Sequence, residues 1–238
     1  MERIIICDTE TTGMPARDKH RIIEIAAVEI IDRQITGKYY NQYINPQREI
    51  DPEAIAVHGI TNDMVADKPL FKEIMPDFLK FIEGATFVAH NSEFDEEFLN
   101  MEMIEYANSS KTLWEHLDKV VDSMKLSKRI YGNKGRHSLD ALLDRLEIDR
   151  SERTKHGALI DCQLLAKAYL KMTEGLDLSG PSLEDDIPRR PIRFLDSNQI
   201  GSSIILHANP KEMAEHIAYL DKLEEKNKTI PVARRLKV

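Results

Sequence analysis

Residues 4–13 read IIICDTETTG and join an apolar run to two carboxylates. Four consecutive apolar residues predict a buried strand over residues 4–7. Asp8 and Glu10 follow that run directly and lie two positions apart. Because successive side chains of a strand alternate between its faces, both carboxylates are expected on one face. Two carboxylates beside an apolar core repel each other unless a cation lies between them. An isolated pair of this kind also fits two solvated acids at a strand end.

The apolar patterns that follow predict an α/β body. Strands are predicted at residues 22–31 and 38–44, which complete a three-strand meander, and at residues 86–89, with a further strand ending at Val120 and Val121. Helical spacing of apolar residues predicts helices at residues 52–58, 70–82, 94–106, 138–146 and 157–172. Asp51 is expected to cap the first of these helices, because aspartate commonly occupies that position.

Charge, cysteine content and hydropathy bear on which class of protein this is. The net charge of −8 argues against a protein that coats DNA by charge alone. It is compatible with a nuclease whose carboxylates hold cations. Cys7 and Cys162 are expected as reduced, buried thiols of a cytoplasmic protein. No apolar stretch reaches the roughly 20 residues that span a bilayer, and the start lacks a signal-peptide pattern.

A change in composition divides the chain into three parts. Residues 1–174 are predicted to form one catalytic domain. Residues 175–200 are rich in Gly, Pro and acids, so they are predicted to be a linker. Residues 201–238 are predicted to form a C-terminal segment, with a short strand at residues 204–206 and a helix at residues 211–226. Its last residues are basic.

Three more residues complete a possible catalytic set. Asp95 follows the strand at residues 86–89 and opens a helix, where an acid is also favourable simply for the helix dipole. His156 and Asp161 lie five positions apart at the start of the last long helix. That spacing turns about 140° around an α-helix. His156 is therefore expected in the loop before the helix and Asp161 on its first turns.

These residues together fit metal-dependent cleavage of a phosphodiester. Carboxylate oxygens suit Mg²⁺ or Mn²⁺. Two such ions about 4 Å apart can activate water and stabilise a leaving oxygen. A neutral histidine can accept the proton of that water.

The sequence resembles the DEDDh exonucleases in three motifs. They are DTETTG at residues 8–13, HNSEFD at residues 90–95 and HGALID at residues 156–161. Further similarity, to the proofreading subunits of bacterial DNA polymerase III, lies in DPEA and VHGI at residues 51–60, in SLDAL at residues 138–142 and in RTKHGA at residues 153–158. The resemblance covers residues 1–174 strongly and the C-terminal segment weakly.

The resemblance implies a ribonuclease H-like fold, with a mixed five-stranded sheet flanked by helices. It implies a 3′–5′ exonuclease acting on DNA ends, with two divalent ions held by Asp8, Glu10 and Asp161 and supported by Asp95. His156 would be the general base. Glu53 and His58 would contact the terminal nucleotide, and the backbone of residues 9–12 would line the pocket for its base.

The resemblance also implies partners. The C-terminal segment would bind the catalytic (alpha) subunit of the polymerase, although a solvated tail is the alternative. A small third core subunit and the sliding clamp are further candidate partners. The short clamp-binding segment of such subunits begins with glutamine, and residues 175–180 here contain none.

Two other interpretations remain open. An RNA-trimming exonuclease would share all three motifs. A non-catalytic polymerase scaffold would be expected to lack one of the five catalytic residues, and all five are present.

Overall fold

The computed structural model describes residues 2–133, 135–151, 153 and 155–176. The strand and helix predicted in the C-terminal segment lie outside the described residues, and so does the predicted linker beyond residue 176. The account below therefore concerns the body of the chain.

A mixed five-stranded sheet, in the order β3-β2-β1-β4-β5, forms the centre of this body. The strands are β1 (Arg3–Thr11), β2 (Ile22–Ile31), β3 (Gln34–Tyr43), β4 (Thr86–Ala89) and β5 (Lys119–Asp122). β1, β2 and β3 pair antiparallel, whereas β4 runs parallel to both β1 and β5. The predicted meander is confirmed. β1 extends further than predicted, because Asp8 and Glu10 continue its pairing with β2.

Seven α-helices accompany the sheet in the part of the chain that the structure describes. They are α1 (Pro52–His58), α2 (Asn62–Val65), α3 (Phe71–Ile82), α4 (Ser92–Met101), α5 (Ser123–Tyr131), α6 (Leu139–Arg145) and α7 (Ala158–Met172). α4 starts two residues before its prediction and continues into a π-helical turn over Glu102–Tyr106. The sequence did not predict α5, whose first turn is capped by the carboxylate of Asp122.

The sheet has a separate apolar core on each face. Ile5 and Cys7 of β1 belong to the core that contains Phe78 of α3, and we call this side the α3 face. Ile4 and Ile6 belong to the core that contains Leu165 of α7, on the α7 face. Odd and even residues of β1 therefore point to opposite helical layers, as strand alternation requires.

Two local predictions have different outcomes. Cys7 and Cys162 are free, buried thiols, as expected. Asp51 occupies the N-cap position of α1, as predicted, but its side chain makes no capping hydrogen bond. Its carboxylate instead lies 3.7 Å from both Arg48 Nη2 and His20 Nε2. Among the described residues, no helix is both long and apolar enough to cross a membrane.

Substituting Phe78 tests the α3-face core. The Phe78 side chain is fully buried. We expect Phe78→Ala to lower the free energy of unfolding by about 3–5 kcal/mol, because the change leaves a cavity. Lys80→Ala, an exposed position of the same helix, should change it by less than about 0.5 kcal/mol. Urea denaturation of both variants measures the difference, and equal losses would contradict this view of the core.

Candidate active site

The end of β1 carries the first two carboxylates of the site. Asp8 and Glu10 continue the even-numbered series of Ile4 and Ile6, so both lie on the α7 face. The sequence predicted that they would share a face, and the strand confirms it. Glu10 pairs in register with Glu24 of β2, which places a third acid beside them.

Asp95 approaches from the other helical layer. It lies in the first turn of α4 and is only 2% exposed. Thr9, between Asp8 and Glu10, points toward α4, and its hydroxyl donates a 2.7 Å hydrogen bond to Asp95 Oδ1. The alternation of β1 therefore supplies two carboxylates to one face and an anchor for Asp95 to the other.

His156 and Asp161 complete the group at the start of α7. His156 precedes the N-cap residue Gly157, and Asp161 lies on the first turn, as predicted. The His156 backbone N–H donates to the carbonyl of Val57 at 3.4 Å, which joins this loop to α1. The structure brings His156 Nδ1 to 3.3 Å from Asp161 Oδ2. The His156 side chain remains 48% exposed, whereas Asp161 is buried.

The carboxylates strongly disfavour one another's charge. Burial raises the pKa of Asp8 well above its usual value, and repulsion from Asp95, Glu10 and Asp161 adds to the shift. Burial, with repulsion from Asp161 and Glu24, raises the pKa of Glu10 to about 8. Burial also raises the pKa of Asp95 to about 7. Bringing a cation into this cluster would relieve the repulsion.

The residues present fit a divalent cation. Glu10, His156 and Asp161 each offer one ligand atom, and these atoms lie within 4.8 Å of one another. Two of the three are carboxylate oxygens, which hard cations prefer. Asp8 shares the face of Glu10, so a further carboxylate is available next to this group.

Arg153 is a member of the site that the sequence did not single out. Its Nη2 donates to Asp161 Oδ2 at 2.8 Å, and its Nε also contacts Oδ1 of the same carboxylate. The same Nη2 lies 2.8 Å from His156 Nδ1, and Nη1 lies 2.6 Å from Asp140 Oδ1. The sequence signals were its position three residues before His156 and its place at the start of the RTKHGA stretch.

Glu24 is the second residue that the sequence did not assign to the site. It is 3% exposed, and its Oε2 accepts a 3.1 Å hydrogen bond from the backbone N–H of Ala158. Ala158 is the first residue of α7, so Glu24 fixes the end of the helix that presents Asp161. Burial raises the pKa of Glu24. A charged residue inside the apolar run of residues 22–31 was the available signal.

α1 lies beside the catalytic group and carries Glu53 and His58. Glu53 is exposed in the first turn of α1, whereas His58 is buried at its end. Burial lowers the pKa of His58, while the backbone of Thr11 opposes the shift, so its ring lies near the end of β1. Gly59 closes the helix at φ 77°, and a Cβ there would lie 2.7 Å from Lys155 Cδ. The left-handed backbone conformation at this position favours glycine, whereas the flexible Lys155 side chain could move aside.

The raised pKa values predict how stability depends on pH when chelator removes metal. Folding favours the protonated form of Glu10. Its stabilising contribution to the free energy of unfolding is therefore present below its usual pKa of 4.5 and is lost as pH rises through about 8. We expect the free energy of unfolding in EDTA to fall from about pH 5 to about pH 9. Glu10→Gln should flatten that fall, whereas Glu97→Gln, an exposed position of α4, should not. Urea denaturation across pH is the measurement; identical curves for the two variants would contradict the electrostatic picture.

Asp8 and Asp161 have different partners, so their alanine variants are expected to differ in stability. Asp8→Ala removes a repelled carboxylate, so its melting temperature in EDTA should equal or exceed that of the wild type. Asp161→Ala leaves the Arg153 guanidinium, whose side chain is 6% exposed, without its two-pronged partner. We expect it to lose about 1–3 kcal/mol of unfolding free energy. Thermal melts in EDTA compare them, and a large loss for Asp8→Ala would count against this arrangement.

Comparison with known proteins identifies relatives along nearly the whole chain. The family model described as "Exonuclease" (RNase_T) matches residues 5–169. The chain is 41% identical over 237 residues to a DNA polymerase III subunit epsilon of Pasteurella multocida, covering 95% of this chain and 91% of the relative. It is 39% identical over 232 residues to the subunit of the same name from Escherichia coli, covering 94% of both chains.

Solved structures share the fold over the body of the chain. Exonuclease X in complex with 5′ overhanging duplex DNA is 28% identical, with a TM-score of 0.57, covering 72% of this chain and 91% of that one. The nuclease domain of 3′hExo, a DEDDh family member bound to rAMP, is 22% identical, with a TM-score of 0.62, covering 73% and 92%. The predicted ribonuclease H-like exonuclease fold is thereby confirmed. The chain belongs to the exonuclease family and, within it, to the group of DNA polymerase III epsilon subunits.

Proposed function

We propose that this chain is a 3′–5′ exonuclease that removes nucleotides one at a time from DNA 3′ ends, as the proofreading subunit of DNA polymerase III. The observation that carries the proposal is the convergence of the β1 carboxylates with His156 and Asp161 at the end of the sheet. Relatives named as epsilon subunits, about 40% identical over most of the chain, support the same function.

The exonuclease fold implies divalent metal ions, and the cluster suits them. We assign two ions, Mg²⁺ or Mn²⁺, to Asp8, Glu10 and Asp161, with Asp95 supporting the second ion. When bound, such ions supply an activated water and charge stabilisation at a leaving oxygen. Thr9 restrains Asp95 through its 2.7 Å hydrogen bond, so the carboxylate is held in place before substrate arrives.

His156 is assigned as the general base. Its side chain is half exposed, so water and the end of a strand can reach it, and the adjacent Asp161 is buried and fixed. In the proposed step, the water oxygen attacks the terminal phosphorus while His156 takes the proton of the water. The bond from phosphorus to the 3′ oxygen of the preceding nucleotide breaks, which releases a nucleoside 5′-monophosphate.

The terminal nucleotide is assigned to Glu53 and His58 of α1 and to the backbone at the end of β1. Glu53 is exposed on α1, and His58 lies near the end of β1. Residues 9–12 provide backbone for the base. These roles are taken from the resemblance to the DEDDh exonucleases. The fold by itself does not distinguish a DNA substrate from an RNA substrate. Solved neighbours include both a complex with duplex DNA and a 3′-exonuclease that recognises histone mRNA.

The partners assigned to this chain belong to a replicative polymerase. We assign the catalytic (alpha) subunit to the C-terminal segment at residues 201–238, and the third small subunit and the sliding clamp remain candidate partners. The support is that relatives named as epsilon subunits align over 94–95% of this chain. The cytoplasm is the corresponding location.

The assay that tests this function uses a single-stranded DNA oligonucleotide labelled at its 5′ end and an RNA of the same sequence. With Mg²⁺ or Mn²⁺ we expect the DNA to shorten one nucleotide at a time, faster than the RNA. EDTA and Asp8→Ala should both abolish the ladder. Faster digestion of RNA would favour the RNA-trimming alternative, and no digestion of either substrate would favour the scaffold.

A further inference from the structure

Arg153 places a permanent positive charge inside the carboxylate cluster. Its side chain is only 6% exposed, although it belongs to a loop. Its Nε and Nη2 contact both oxygens of Asp161, in the two-pronged geometry that is the strongest arginine–carboxylate arrangement. The guanidinium has a pKa too high for loss of its proton, and Asp161 raises that pKa further. This contact is therefore a cation bound to a proposed metal ligand.

The same guanidinium also contacts Nδ1 of the His156 ring. Nη2 of Arg153 can only donate, so its 2.8 Å hydrogen bond requires His156 Nδ1 to accept. The same nitrogen lies farther, at 3.3 Å, from Asp161 Oδ2, and the shorter contact decides its role. In the neutral ring, the proton then resides on Nε2. Neither nitrogen of that ring is free to accept a proton from water while Arg153 stays in place. Arg153 thus opposes both metal binding by Asp161 and proton transfer to His156.

A second anchor for Arg153 lies outside the cluster. Its Nη1 lies 2.6 Å from Oδ1 of Asp140, a residue of α6 that is 44% exposed. Arg153 can therefore give up Asp161 and still keep a carboxylate partner. Arg150 contacts Asp140 and Asp144 of α6, at 3.1 Å and 2.9 Å. It therefore shares the Asp140 partner with Arg153. Within the described part of the chain, the charged partners of Arg150 are these two acids of α6.

We propose that Arg153 is a positioning residue that competes with the divalent cation for Asp161. Cation binding shifts the guanidinium toward Asp140 and releases His156 Nδ1, so the general base becomes available only when the metal is bound. The reason is electrostatic, because a guanidinium and a divalent cation on one carboxylate repel each other. This inference rests on the proposed function, since it takes Asp161 as a metal ligand.

Mn²⁺ binding to the full chain, after dialysis against chelator, provides the test. Isothermal titration calorimetry compares the wild type with Arg153→Ala, Arg153→Lys, Arg150→Ala and Asp161→Ala. We expect Arg153→Ala to bind Mn²⁺ about tenfold more tightly, within the ordinary range of coupling between two ligands. Arg153→Lys should be intermediate, because it keeps the charge without the two-pronged contact. Arg150→Ala should match the wild type.

The outcomes separate this inference from the proposed function. Equal or weaker Mn²⁺ binding by Arg153→Ala, with the wild type and Arg150→Ala binding normally, would overturn the competition while leaving the metal site intact. Wild-type binding no tighter than that of Asp161→Ala would instead remove the metal site, and this proposal with it. Circular dichroism melts in EDTA confirm that each variant is folded before its affinity is compared.

The state of the His156 ring gives a readout that a purely structural role would not change. Nitrogen-15 NMR of the full chain in EDTA, at a pH where the ring is neutral, distinguishes the two tautomers. We expect the Nε2-protonated form in the wild type and in Arg150→Ala, and a mixture in Arg153→Ala. Addition of Mg²⁺ to the wild type should shift its ring toward the Arg153→Ala signals. A ring unaffected by either Mg²⁺ or Arg153→Ala would contradict the release of Nδ1.

Discussion

The arrangement depends on one constraint, which is that several carboxylates are held near one another where contact with water is reduced. Asp8, Glu10 and Asp95 all have raised pKa values, and burial is the largest cause for each. An unliganded cluster of this kind opposes folding. The two apolar cores above and below the sheet must therefore offset it, and β1, at the centre of the sheet, is paired on both sides.

The chain compensates for this repulsion with its own polar groups. Thr9 donates to Asp95, and the Ala158 backbone N–H donates to Glu24. Arg153 contributes the only charge of opposite sign among these groups, and its effect on Glu10 is to lower the pKa. The Thr9 and Glu24 contacts join residues 86 and 134 positions apart, whereas Arg153 and Asp161 are only eight positions apart. The same contacts that make the cluster tolerable also fix its geometry, so stability and preorganisation have a common origin here.

Strand alternation and helical spacing predicted those features of the site that depend on residues close together in the sequence. The alternation of β1 placed Asp8 and Glu10 on one face, and the five-residue spacing placed His156 before α7 and Asp161 within it. Asp51 shows the limit of such rules, because it occupies the predicted N-cap position while its carboxylate lies beside Arg48 and His20 and makes no capping hydrogen bond. Arg153 could not be recognised as buried, since its burial depends on the packing of its loop against α6 and α7. The partner of Glu24 is 134 residues away, beyond the reach of any periodicity.

The alternation of β1 has a consequence for insertions and deletions. Its odd and even residues serve different helical layers, up to and including the pair of carboxylates and the threonine between them. Loss or gain of one residue between Ile4 and Asp8 would exchange the two sets, burying acids under α3 and turning apolar side chains toward the catalytic group. A two-residue change would keep every face correct and only shift the carboxylates along the strand, by roughly 7 Å. The register of this strand is thus set by a period of two. Insertions and deletions are expected to be tolerated in the loops on either side of β1 far more readily than within the strand.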